Sequence, residues 1–86
     1  MPNAGREPLL LGIDLGAGSL KATLIRADGS VAGEASHTVP TLTPHSGWSE
    51  QDPADWWAAL VHAVPRAIAN AKADAKAIAG ISLSAG

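Results

Sequence analysis

Residues Asp14 to Lys21 read Asp-Leu-Gly-Ala-Gly-Ser-Leu-Lys, so a carboxylate, a glycine-rich turn and a cation stand close together. The run Leu9 to Ile13 ahead of them is short and apolar, which suits a buried strand ending at Asp14. A carboxylate there stands beside a turn whose backbone N–H groups can form a nest. Such nests bind phosphate oxygens, and the carboxylate can hold Mg²⁺ through water, with Lys21 adding positive charge. On spacing alone, the competing description is an ordinary hairpin, with Asp14 closing an Asx-turn and Lys21 solvated. A dinucleotide fingerprint does not fit, because Lys21 occupies the position of its third glycine. Walker A spacing is absent too.

The three tryptophans form a second constellation, since Trp48, Trp56 and Trp57 crowd into the segment Gly47 to Trp57. Their rings could stack on a sugar or a base. A packing role is favoured, with Trp48 stapling the start of a helix and at least one of Trp56 and Trp57 facing a sheet. Glu50 is then a local anchor or a solvated charge. His37, His45 and His62 show no metal-ligand spacing and read as surface or satisfied residues. Ser84 lacks the G-x-S-x-G context of a nucleophile.

These groups need elements to hold them. Leu20 to Arg26 reads as a second strand, closed by the hairpin signal Asp28-Gly29, and Val31 to Val39 as an exposed third strand. Pro40 to Gly47 reads as a loop. Asp52-Pro53 opens a helix, with Asp52 as N-cap, Pro53 at the first helical position and Asp55 in the first turn. Trp57, Leu60, Val61, Val64, Ile68 and Ala71 mark its inward face. Pro65 should kink that helix or end it early. Ile78 to Leu83 is a further strand, buried like the first on both faces. The predicted order is strand, strand, strand, helix, strand.

Composition narrows the class. The chain has 86 residues, 47% hydrophobic and 16% charged, with a net charge of −2 and no cysteine. That balance is globular, argues against an electrostatic nucleic-acid binder and excludes thiolate metal sites and disulfides. No apolar run approaches a membrane span and no signal peptide is evident, so a cytoplasmic setting is expected. Alanine supplies much of the apolar content, which makes for a thin core.

Taken together, the two constellations resemble one family. Leu11 to Lys21 resembles the first phosphate motif of the FGGY carbohydrate kinases. Gly47-Trp48-Ser49-Glu50-Gln51-Asp52-Pro53 with Trp56-Trp57 is similar to the segment before their first long helix, and Ile78 to Ser84 is similar to their next strand. The W-S-E-Q-D-P wording is closest to xylulokinase-like members. The resemblance implies the start of a ribonuclease-H-like (actin-like ATPase) α/β domain. It also implies ATP- and Mg²⁺-dependent transfer of the γ-phosphate to a sugar hydroxyl, with D-xylulose as the candidate acceptor. On it, Asp14 matches the catalytic, metal-organising carboxylate, Gly16, Gly18 and Ser19 match the phosphate hairpin, and Lys21 matches a basic residue facing the phosphates. Ala17 stands where many members have Thr, and Gly86 where several have Gln. Residues 1–8 are expected to be a flexible arm, and residues 9–86 part of the kinase N-terminal domain, cut after the fourth strand. The general base would lie downstream. The fragment alone is therefore expected to be inactive and to need the rest of its kinase chain for folding. The alternative function is a non-catalytic ATP-binding regulator or assembly protein of the same superfamily. Neither reading involves nucleic acid or membrane.

Overall fold

The computed structural model describes residues 7–41 and 51–85. Most of the expected N-terminal arm, together with His45, Trp48, Glu50 and Gly86, lies outside the described residues. Four strands, β1 (Leu9–Leu15), β2 (Ser19–Ile25), β3 (Val31–Thr38) and β4 (Ile78–Ala85), form one sheet in the order β3-β2-β1-β4. The three N-terminal strands run antiparallel in sequence, and β4 lies parallel to β1. One long helix, α1 (Pro53–Ala71), and a short 3₁₀ turn at Ala75–Ala77 connect β3 to β4. The strand, strand, strand, helix, strand order is as expected.

The hairpin between β2 and β3 uses the residues its sequence advertises. Gly29 adopts a left-handed φ of 89°, which costs glycine nothing. Asp28 accepts from both the hydroxyl and the amide of Ser30, at 2.6 and 2.8 Å. Those two bonds hold its carboxyl below the usual carboxylate range.

Helix α1 starts as its caps dictate. Asp52 is the N-cap and accepts from the Ala54 N–H at 2.9 Å, with Pro53 following in the first turn. Its C-terminal end closes at Lys72, in a left-handed conformation with φ 53°, where the N–H groups of Lys72 and Ala73 return to Ala69 and Ile68. Pro65 does not end the helix, which continues to Ala71. Both Pro65 and Val61, whose carbonyl would have received the missing N–H, are exposed, so that break falls where water can satisfy the carbonyl.

The core face of the helix is rotated from the expected one. Ala59, Ala63 and Ala67 are fully buried against β2 and β3, while Leu60, Val64 and Ile68 flank them half-buried. Trp57 and Val61, expected to face inward, are 68% and 50% exposed. Small residues win the contact because the helix runs so close to β3. A Cβ added at Gly33 would come within 2.5 Å of the Ala71 nitrogen and 2.8 Å of the Ala67 carbonyl oxygen. Asn70 Nδ2 also donates to the Glu34 carbonyl at 2.9 Å.

The double-sided burial expected for β1 and β4 is corrected. β1 buries Leu9, Leu11 and Ile13 on the helix side, but Leu10, on the other face, is exposed. On β4, Ile81 and Leu83 are 70% and 72% exposed. The reason is positional: α1 lies over β2 and β3, and no described element lies over β4 or over the opposite face.

Gly33→Ala tests the close approach. The extra methyl meets helix backbone, which cannot rotate away, so the variant should lose about 1–3 kcal/mol of stability. The measurement is the denaturant midpoint of the protein carrying this segment. A midpoint equal to wild type would show that helix and strand are not held this tightly.

Candidate functional site

Strand register brings chemistry from four strands onto one row. Asp14 on β1 pairs with Lys21 on β2 and with Ser84 on β4, and Lys21 pairs in turn with Ser36 on β3. Directly opposed residues share a face, so Ser84, Asp14, Lys21 and Ser36 cross the sheet side by side. That face is the one turned away from α1. Asp14 and Lys21 are both exposed there. The Ser84 hydroxyl donates to Asp14 Oδ1 at 2.9 Å across 70 residues of chain. The same face becomes apolar toward the other end of the strands, where Leu10, Ile25 and Gly80 line a shallow pocket.

Just beyond the row, Gly16 to Ser19 form the turn between β1 and β2. The Gly16 N–H donates to the Ser19 carbonyl at 2.9 Å and closes the turn. Ala17 and Gly18 are exposed at its tip. The tip is braced from outside the hairpin. Thr41 Oγ1 and Gln51 Nε2 both donate to the Ala17 carbonyl, at 3.0 and 2.9 Å. The Val39 N–H donates to the Gly18 carbonyl at 3.0 Å.

The glycines of this turn do not draw on glycine's conformational freedom. Neither Gly16 nor Gly18 uses the left-handed region. What Gly18 supplies is space: a Cβ built there would meet nothing within 4 Å. A ligand can therefore approach the backbone without a side chain in the way.

Trp56 and Trp57 sit apart from the row of polar residues, on the helix. Trp56 donates from Nε1 to Gln51 Oε1 at 3.1 Å. Trp57 is largely exposed, which corrects the expectation of a buried ring. With Pro53, Leu60, Ile13, Leu15, Leu20 and Leu83, the two rings line an apolar groove of about 410 Å³ on the α1 side of the sheet. His37 and His62 stack across the β3–α1 contact, with centroids 4.8 Å apart. His37 Nδ1 donates to the Thr38 carbonyl at 2.9 Å.

Asp14 and Lys21 thus meet as the sequence suggests, next to the glycine turn. Ser84, Gln51 and Thr41 were not singled out as site residues. The Ser84 contact depends on a parallel register that no local pattern encodes. Gln51 was hidden inside a segment whose evident signals were its tryptophans and its helix cap. Among the described residues, no group of three or more metal-ligating side chains occurs. No described helix is long and apolar enough to cross a membrane.

A sheet of three antiparallel strands with a fourth lying parallel beside the first, reached through a helix, is the opening of an actin-like ATPase fold. Residues 9–86 match the N-terminal domain of the FGGY family of carbohydrate kinases, and the chain belongs to that family. It is 36% identical over 75 residues to a xylulose kinase of Bacillus subtilis, covering 87% of this chain and 15% of that one. It is 43% identical over 75 residues to a glycerol kinase of Afipia carboxidovorans, with the same two coverages. The crystal structure of a xyloylose kinase from Brucella ovis superposes with a TM-score of 0.79 at 39% identity, over 90% of this chain and 16% of that one. The chain thus spans only about 15% of the length of these curated relatives.

Gly18→Ala separates the two roles a glycine can play at the turn. With ordinary backbone angles and open space, the substitution should change folding stability by no more than about 0.5 kcal/mol, read from the denaturant midpoint. A loss well beyond that would show that the turn depends on glycine's conformational freedom.

Proposed function

We propose that this chain opens an ATP-dependent carbohydrate kinase and supplies the part that handles the transferring phosphate. The observation that carries the reading is Asp14 held by Ser84 and set beside Lys21, directly behind an open glycine turn, in a chain of this family. Phosphoryl transfer asks mainly for positioning and charge neutralisation. Lys21 offers positive charge, and the glycine turn offers the Gly18 N–H, the Gly16 N–H being already engaged in closing the turn.

Mg²⁺ fits this site. Beside phosphates it keeps most of its water and needs only one or two carboxylates, so Asp14 alone suffices from this segment. When bound, the ion neutralises charge on the phosphate oxygens. The Ser84 hydroxyl meanwhile holds one carboxylate oxygen and leaves the other free to meet the ion's water shell. The general base would come from residues beyond this segment, as would most contacts to the sugar. For that reason the segment by itself is read as inactive and as depending on the rest of the kinase chain for folding. The finer assignment is D-xylulose as acceptor, supported by the wording of the Gly47–Trp57 segment and by the xylulose kinases among its relatives. A cytoplasmic enzyme fits this reading.

Asp14→Asn in the whole kinase chain tests it. The amide preserves shape and still accepts from Ser84, but loses the charge that organises Mg²⁺. Turnover should fall by about 10²–10³-fold or more, with the thermal midpoint nearly unmoved. Assays of the unmutated chain with D-xylulose and with glycerol decide the acceptor. Turnover in the variant close to wild type would contradict the role given to Asp14. Nucleotide binding without transfer to any sugar would point instead to an ATP-binding regulator.

A further inference from the structure

The Ala17 carbonyl is an unusual focus of hydrogen bonds for an exposed turn. Two side chains from a different part of the chain, Thr41 and Gln51, converge on it. Gln51 is itself held, because its Oε1 accepts from the Trp56 indole at 3.1 Å while its Nε2 donates to Ala17. The amide orientation is fixed by these partners: turned over, it would set oxygen against the carbonyl and N–H against N–H. Trp56 lies in the first turn of α1, one turn beyond the cap, so the helix itself anchors the relay.

In a trans peptide the carbonyl and the N–H of the same unit point in opposite directions. Fixing the Ala17 carbonyl toward Thr41 and Gln51 therefore turns the Gly18 N–H away from them. Among the described residues nothing accepts from that N–H, and no side chain stands over Gly18. We propose that Gln51, with Thr41 beside it and Trp56 behind it, is a positioning residue that presets the Ala17–Gly18 peptide to offer its N–H to a phosphate oxygen. This deepens the reading under Proposed function and rests on it. It also assigns a role to part of the tryptophan segment: Trp56 acts through Gln51 on the phosphate turn. Ala17 carries no hydroxyl to contact phosphate, so the turn relies on the orientation of its backbone.

The test is Gln51→Glu in the whole kinase chain. The carboxylate still accepts from Trp56 but cannot donate to the Ala17 carbonyl, and its charge repels it. The Michaelis constant for MgATP should rise about 3- to 10-fold, the loss of one hydrogen bond. The constant for the sugar and the thermal midpoint should stay near wild type. Thr41→Val with Gln51→Glu should enlarge the effect, and Trp56→Phe, which keeps an aromatic ring but loses the indole N–H, should reproduce it in weaker form. Trp56→Phe also serves if the glutamate variant does not fold. A second readout needs no turnover. Without nucleotide, the Gly18 amide resonance should shift in the variants. Unchanged MgATP constants together with an unchanged Gly18 amide would overturn the proposal. A midpoint that falls while both Michaelis constants hold would also overturn it, leaving Gln51 a purely structural residue. If the Gly18 amide responds but the wild-type chain transfers no phosphate, the brace stands and the kinase reading fails.

Discussion

The brace on the glycine turn depends on how closely α1 is pressed onto the sheet. The contact is made by residues with almost no side chain: Gly33 on β3 against the backbone at Ala67 and Ala71, and Ala59, Ala63 and Ala67 in line above β2 and β3. A helix of 19 residues is about 28 Å long, so small errors at one end become large ones at the other. Pinned along its alanines, α1 brings its N-terminus to the glycine turn. There Gln51, immediately before the cap, reaches the Ala17 carbonyl. The thin alanine core is thus what gives the helix a defined reach.

The sheet divides its labour between its faces. Toward α1 it presents leucine, isoleucine and alanine. Away from α1, at the carboxyl end of β1, it presents Ser84, Asp14, Lys21 and Ser36. Alternation of side chains along each strand produces this split, and the parallel partner β4 completes it by bringing a hydroxyl to the carboxylate. Ligand chemistry at the carboxyl ends of parallel strands is a general habit of α/β sheets. The glycine turn lies at that end and so belongs to both halves, lined by polar groups on one side and braced by the helix on the other.

Much of this was legible in the sequence because the signals are local. Asp52-Pro53 announced the helix start, Asp28-Gly29 the second hairpin, and Asp14 with Gly16 and Gly18 the candidate site. What stayed hidden depends on distance along the chain. Ser84 lies beside Asp14 only because β4 pairs parallel to β1 in one register. The rotation of α1 followed closeness of approach, so alanines displaced Trp57 and Val61 from the buried stripe although they are less hydrophobic. Pro65 carried a real signal, but its exposed position removed the consequence. The turn between β1 and β2 keeps ordinary backbone angles at both glycines, and what Gly18 adds is open space, which no local pattern reveals.

The most direct measurement is a crystal structure of the whole kinase chain with Mg²⁺ and a non-hydrolysable ATP analogue. The account predicts a terminal phosphate oxygen about 2.7–3.2 Å from the Gly18 nitrogen, with the ion's water shell on Asp14 and the Ser84 hydroxyl still on that carboxylate. A nucleotide whose phosphates lie on the α1 side of the sheet, against Trp56 and Trp57, with the glycine turn untouched, would contradict it.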